Sequence, residues 1–227
     1  MVYPRIVRPN SRVRDVAELC VGYGLILATI WTPNPAQRIL YWVAFAWIAI
    51  TTILRRKEVE THGLGLRGLL SSLWIVVAAV AIFCAGVALA KYFHTLHRLY
   101  GPLPIITHVW GYALWALMQQ FILQIYVLSR LLRLGMRRGP AIALSAVLFS
   151  VAHLPNPVLV SLTLVWGAVS CVLFLRYRNL YTLALAHGIL GMGLAITVPN
   201  RVLHHMRVGL GYIEYGGHDG DGAGKLR

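Results

Sequence analysis

The chain has 227 residues, of which 58% are hydrophobic and only 12% charged, against roughly a quarter charged in an ordinary soluble domain. With a mean hydropathy of +0.67 it lacks the polar side chains to cover a water-soluble globule, which excludes a cytosolic enzyme, a disordered chain and a small disulfide scaffold. The charge balance, 21 Lys+Arg against 7 Asp+Glu, does not point to nucleic acid, because the basic residues fall between apolar blocks and not along one stripe.

The expected fold class is all-α: a polytopic bundle of about seven transmembrane helices, each needing ~17–25 residues to cross ~30 Å of hydrocarbon. Residues 1–15 are basic and then turn apolar without an A-x-A cleavage pattern, so they read as a retained cytoplasmic tail. The bundle occupies 16–200, with spans predicted near 16–32, 39–54, 69–90, 103–129, 141–154, 158–175 and 180–198. The second and fifth are short. The fifth ends at Leu154-Pro155-Asn156-Pro157, a breaker without charge, so spans five and six are expected to form one broken hairpin inside the protein. Lys and Arg number fourteen in the N-terminal tail and the 55–68, 130–140 and 176–179 loops, but three in the alternating loops. By the positive-inside rule this places the N-terminus in the cytoplasm. Residues 201–227 form a polar tail. Arg201 and Arg207 leave room for an eighth, partial helix or a miscounted span, and the Gly-rich end, 216–227, is expected to be disordered. Cys20, Cys84 and Cys171 sit in apolar stretches, are odd in number and imply no disulfide framework.

Polar groups inside spans are the best pointers to function in such a chain. In span four His108, Tyr112, Trp115 and Gln119 share one helical face, and Gln120 and Gln124 occupy an adjacent strip. The plain alternative is that these amides hydrogen-bond helices together. Depth favours a site. At 1.5 Å per residue, Gln119 lies ~15 Å, His153 ~18 Å and His187 ~10 Å from the cytoplasmic ends of three different spans. No carboxylate occurs between Thr61 and Ile213; the seven acids are Asp15, Glu18, Glu58, Glu60, Glu214, Asp219 and Asp221.

The motif Phe149-Ser-Val-Ala-His153, the later Ala186-His187 and the stretch Gly63-Leu-Gly-Leu-Arg67 resemble the CPBP family of CAAX proteases and bacteriocin-processing membrane proteins, also called Abi, over about residues 60–195. That family carries EExxxR, FxxxH and HxxxN (or D). Here Gln119, Gln120 and Gln124 stand at the three defining positions of the first motif, and Gly191 stands four residues after His187. The resemblance implies a water activated by the first motif and His153, with an oxyanion stabilised by the last motif, hence His153, His187 and Gln119 as catalytic candidates. Gln120, Gln124, Phe149, Tyr112, Trp115 and Gly191 are the supporting or cavity residues. A neutral amide orients water but cannot take its proton, and a base needs a pKa near the working pH, so glutamate-based hydrolysis is in doubt. The implied setting is a bacterial plasma membrane, with lipid bilayer and a hydrophobic, prenylated or lipid-like substrate as partners, no nucleic acid and no cofactor.

Three readings stay open: a CAAX-type endopeptidase leaning on His153, a non-proteolytic scaffold or immunity protein, and an enzyme acting on an isoprenoid or other lipid. The third draws on the aromatics Trp110, Tyr112, Trp115, Phe121 and Tyr126 as a greasy lining. A metal held by His108, His153 and His187 is less favoured, since His108 lies ~16 Å from Gln119 along the span.

Overall fold

The computed structural model describes residues 9–55, 63–96 and 105–218, and all regular structure within them is helical. In order these are α1 (Pro9–Trp31), α2 (Ala36–Leu54), α3 (Leu69–Tyr92), α4 (Ile105–Gln120), a π-helix (Phe121–Leu128), α5 (Ser129–Arg133), α6 (Arg138–Val151), α7 (Pro157–Tyr177), α8 (Leu180–Thr197), α9 (Asn200–Leu203) and α10 (Leu210–His218), with a 3₁₀ turn at His204–Met206. Five are long and apolar enough to cross a membrane: Ala36–Leu54, Leu69–Tyr92, Val109–Arg133, Pro157–Tyr177 and Leu180–Thr197. The fifth expected span, α6, is apolar but short. Helix α1 begins at Pro9, so residues 9–15, expected as tail, are helical. At the other end α10 runs through His218, reaching into the segment expected to be disordered; the rest of that segment lies outside the described residues.

Helix α8 packs on α3 and α4, α6 pairs with α7, and α1 pairs with α2. The outer faces are apolar, with Trp42, Leu70, Val77, Trp110 and Leu114 exposed, as expected of a surface that meets lipid chains and not water. Cys20 and Cys84 belong to that outer surface, whereas Cys171 is buried. The centre of the bundle is the π-helix, whose residues Leu123 through Val127 and Leu128 are all buried. A helix buried all round has no polar stripe to expose.

Local sequence sets the turns. Asn156 caps α7 by accepting from the Leu159 amide at 3.1 Å, with Pro157 at the first helical position, where its missing N–H costs nothing. Asn179 caps α8 in the same way, accepting from the Thr182 amide at 3.0 Å. Before α3, Gly68 takes φ +77° and lies so close to the Tyr177 carbonyl that any Cβ would collide with it. Both the left-handed backbone and the close approach require glycine. Ser72 and Thr182 then join α3 to α8 at 2.9 Å.

One feature runs against the reading of loop charges. Asp15 and Glu18 on α1 are buried, and so are Arg55 after α2 and Arg130 on α5. Arg55 reaches Asp15 at 2.6 Å and Glu18 at 3.2 Å, Arg130 reaches Glu18 at 3.5 Å, and Arg133 reaches Asp15 at 2.9 Å. The Arg130 guanidinium lies 3.8 Å from the Tyr126 ring centre, and Tyr126 in turn donates to the Glu18 carbonyl. Arg55 and Arg130, expected in cytoplasmic loops, are therefore interior charges. They are tolerable there because each has a carboxylate partner, without which burial costs several kcal/mol per ion.

Candidate functional site

Between the helices lies a cavity of about 1230 Å³ whose walls include Gln119, His153, His187, Tyr112, Trp115 and Gly191. The rest of the lining is mostly aliphatic and aromatic, with Phe121, Phe149 and Trp166 among it. The three residues predicted from depth thus reach one cavity from three elements. The span-four face Tyr112, Trp115, Gln119 also lies along it; the side chain of His108 falls outside the described residues.

His153 sits in the turn that follows α6. Its Nδ1 is 2.7 Å from the Phe149 carbonyl oxygen. A carbonyl only accepts, so Nδ1 carries the hydrogen and the neutral ring keeps its lone pair on Nε2. The turn itself is held by Asn156, which donates to the Leu203 and Arg207 carbonyls at 2.8 and 3.2 Å, and by the Gly209 amide, which donates to the Leu154 carbonyl at 2.7 Å.

His187 has the opposite polarity. Ser170 donates to the Gly167 carbonyl at 3.1 Å, which leaves its oxygen to accept. Gln124 donates to Ser170 and to Gln120 Oε1, each at 3.1 Å. The Gln120 amide nitrogen then faces His187 Nδ1 at 3.2 Å. In this row Nδ1 accepts, and the His187 hydrogen sits on Nε2. The cost is visible at Gln124, whose Oε1 is buried without a partner. Phe149 packs edge-on against both imidazoles, with ring centres 4.9 Å from His153 and 5.9 Å from His187. Trp166 flanks His187 at 6.0 Å.

Several expectations are redistributed. Gln120 and Gln124, expected as supporting or cavity residues, are fully buried behind the wall, where Gln120 bonds to His187 and Gln124; only Gln119 of the three glutamines lines the cavity. The reason is the helical phase: Gln119 and Gln120 are neighbours and point about 100° apart. Of the aromatics, Tyr112, Trp115 and Phe121 line the cavity. Trp110 points outward, 69% exposed, and Tyr126 belongs to the charge cluster. Gly191 leaves a space that Tyr112 fills: a Cβ there would collide with the Tyr112 hydroxyl. Sequence reasoning missed Trp166 and Ser170. Both sit in an unbroken apolar helix, where nothing in composition separates them from lipid-facing neighbours. Among the described residues no three His, Cys, Asp or Glu side chains gather in a metal-ligating group.

The cavity therefore holds one imidazole that accepts (His153), one that donates (His187), and an uncommitted amide (Gln119). An accepting and a donating group in one apolar enclosure suit acid–base work on a carbonyl. Residues 101–192, the stretch that carries all of these groups, match the family model described as Type II CAAX prenyl endopeptidase Rce1-like. No curated protein and no solved structure matches the chain.

Proposed function

From a chain that is a CPBP-family, Rce1-like integral membrane protein over residues 101–192, we propose an intramembrane hydrolase of CAAX type that acts on a lipid-modified substrate and uses His153 as its base without a carboxylate. The observation that carries this reading is the 2.7 Å bond from His153 to the Phe149 carbonyl, which leaves the Nε2 lone pair for the cavity. In the proposed reaction, Gln119 orients a water and His153 Nε2 takes its proton. The hydroxide adds to the scissile carbonyl, and His187 Nε2–H donates to the oxygen that gains charge. The His153 imidazolium then returns the proton to the departing amine. Loss of the carboxylate is expected to cost a factor of about 10²–10⁴ in rate. The apolar chain of the substrate would fill the cavity of about 1230 Å³.

The finer setting belongs to the same proposal. Helices α1 and α6 complete seven spans in a bacterial plasma membrane with the N-terminus in the cytoplasm.

The second reading is a non-hydrolytic binder of the same ligand, favoured by the absence of any carboxylate from Thr61 to Ile213. One experiment separates them. Protein reconstituted in liposomes is given a prenylated CAAX peptide, and product is followed by mass spectrometry. Cleavage that His153→Ala abolishes is the expected result. No cleavage by the native form or by Gln119→Glu overturns the hydrolase reading in favour of the binder.

A further inference from the structure

Among the described residues, the cavity wall carries a single permanent charge, Arg38, and no Asp or Glu lines it. Helix α2 turns one face to the cavity, with Arg38, Tyr41, Phe45 and Ile48 all in the lining, a spacing that keeps them on one helical stripe. After the arginine that stripe is aromatic or aliphatic. The Arg38 side chain is exposed and has no ion pair or hydrogen bond among the described residues. An arginine at the end of a span ordinarily turns its head to water or to lipid headgroups, but this one also borders the interior. Nor does it serve its own helix. It lies in the first turn of α2, which holds no acid, and a cation is unfavourable at the positive end of a helix dipole. Short contacts place this charge at the same end of the cavity as His153. Gln37, beside Arg38, donates to the Thr29 carbonyl at 3.0 Å. Gly209 lies so close to the next residue, Ile30, that any Cβ would collide with it, and the Gly209 amide donates to the carbonyl of Leu154, one residue past His153, at 2.7 Å.

We infer that Arg38 binds the carboxylate of an amphiphilic ligand at this end of the cavity, with the ligand's hydrocarbon chain lying along the α2 stripe. A guanidinium suits a carboxylate, which it holds by two parallel N–H···O bonds. One arginine matches one negative charge. A phosphate monoester carries about 1.5 to 2 charges and would leave part of its charge without a partner beside an apolar wall. The inference rests on the proposed function for the kind of chain the ligand carries, but it requires binding only and not cleavage. It makes Arg38 the residue that separates a charged ligand from its neutral analogue.

The test compares two tritiated probes that share a farnesyl chain: N-acetyl-S-farnesylcysteine, whose carboxylate is ionised at neutral pH, and its methyl ester, which is uncharged. Binding to the full-length protein in a non-ionic detergent is measured by scintillation proximity. The native protein should prefer the acid by about 10–100-fold, the worth of a hydrogen bond to a charged group. Arg38→Gln should remove that preference by weakening the acid and leave the ester unchanged. The position is exposed, and a melting temperature equal to the native one would show that the variant folds. Arg201→Gln, at an exposed arginine of the same end that does not line the cavity, should keep the preference. Equal binding of acid and ester by the native protein, the result if Arg38 serves only bilayer headgroups, overturns the inference. So does equal weakening of both probes by Arg38→Gln, or loss of the preference in Arg201→Gln as well. Failure of the native protein to bind either probe also overturns it, in which case peptide cleavage, assayed separately, still decides the hydrolase reading. Acid-selective binding that depends on Arg38 in a protein that cleaves nothing upholds the inference and overturns the hydrolase.

Discussion

Gln119 and Gln120 differ by one position and by everything that matters for chemistry. Gln119 faces the cavity, while Gln120 is fully buried and bonded to His187 and Gln124. Glutamate at the two positions should therefore act in opposite ways. Gln119→Glu places a proton acceptor beside the water and is expected to raise kcat/KM for a prenylated peptide by at least tenfold, within the range a general base supplies. Gln120→Glu puts a carboxylate against His187 Nδ1, which must then donate, and the Nε2 hydrogen is lost from the cavity. It should depress kcat/KM and lower the melting temperature, because the buried charge has only neutral neighbours. A kinetic and thermal comparison of the two variants checks both expectations; similar gains from both would contradict the two-sided geometry. The spacing of the glutamines and histidines was readable from the sequence. Which amide turns to the cavity was not, because adjacent residues on a span have equal claims until the packing partner is known.

At the level of elements, most helices were legible because each is an apolar run closed by a turn signal, such as Asn156-Pro157 before α7 or Asn179 before α8. The charge cluster was not legible. Asp15 pairs with residues 40 and 118 positions away, and nothing local marks a basic residue near a span end as a loop charge or an interior one. Its energetic role is testable. Glu18→Gln leaves Arg130, fully buried, without its 3.5 Å carboxylate, and breaking a buried pair from one side costs roughly 3–5 kcal/mol. Arg14→Ala removes a pair whose arginine is 60% exposed and should cost less than about 1 kcal/mol. Chemical unfolding of the two variants in one detergent should show a large loss for the first and little for the second.

Across the whole molecule the ends of the helices are unequal. Among the described residues, Arg12, Arg14, Arg67, Arg137, Arg138, Arg176 and Arg178 lie at the end that holds the charge cluster, whereas the opposite end has Arg38, Lys91, Arg201 and Arg207. The proposed orientation puts the cluster end on the cytoplasmic side. Arg137 and Arg201 are both exposed and lie at opposite ends. A membrane-impermeant maleimide applied to intact cells should label Arg201→Cys and spare Arg137→Cys until the membrane is permeabilised. The reverse pattern would invert the topology.

The π-helix between α4 and α5 joins these two regions in one continuous rod. Ser129 donates its amide and its hydroxyl to the Gln124 carbonyl five residues back, a wider step than the four of an α-helix. Cavity contacts run from Gln119 into the start of this stretch at Phe121, and charge-cluster contacts run from Tyr126 within it to Arg130 beyond it. The widened turns thus act as a phase shifter in the shaft, setting the angle between two working faces that a regular helix of the same length would hold in a different relation. The register of the whole fourth span is then a length-sensitive quantity. Deleting Ile125 alone, a buried aliphatic residue of this stretch, would keep every functional side chain in the chain and still turn the charged half away from Asp15 and Glu18.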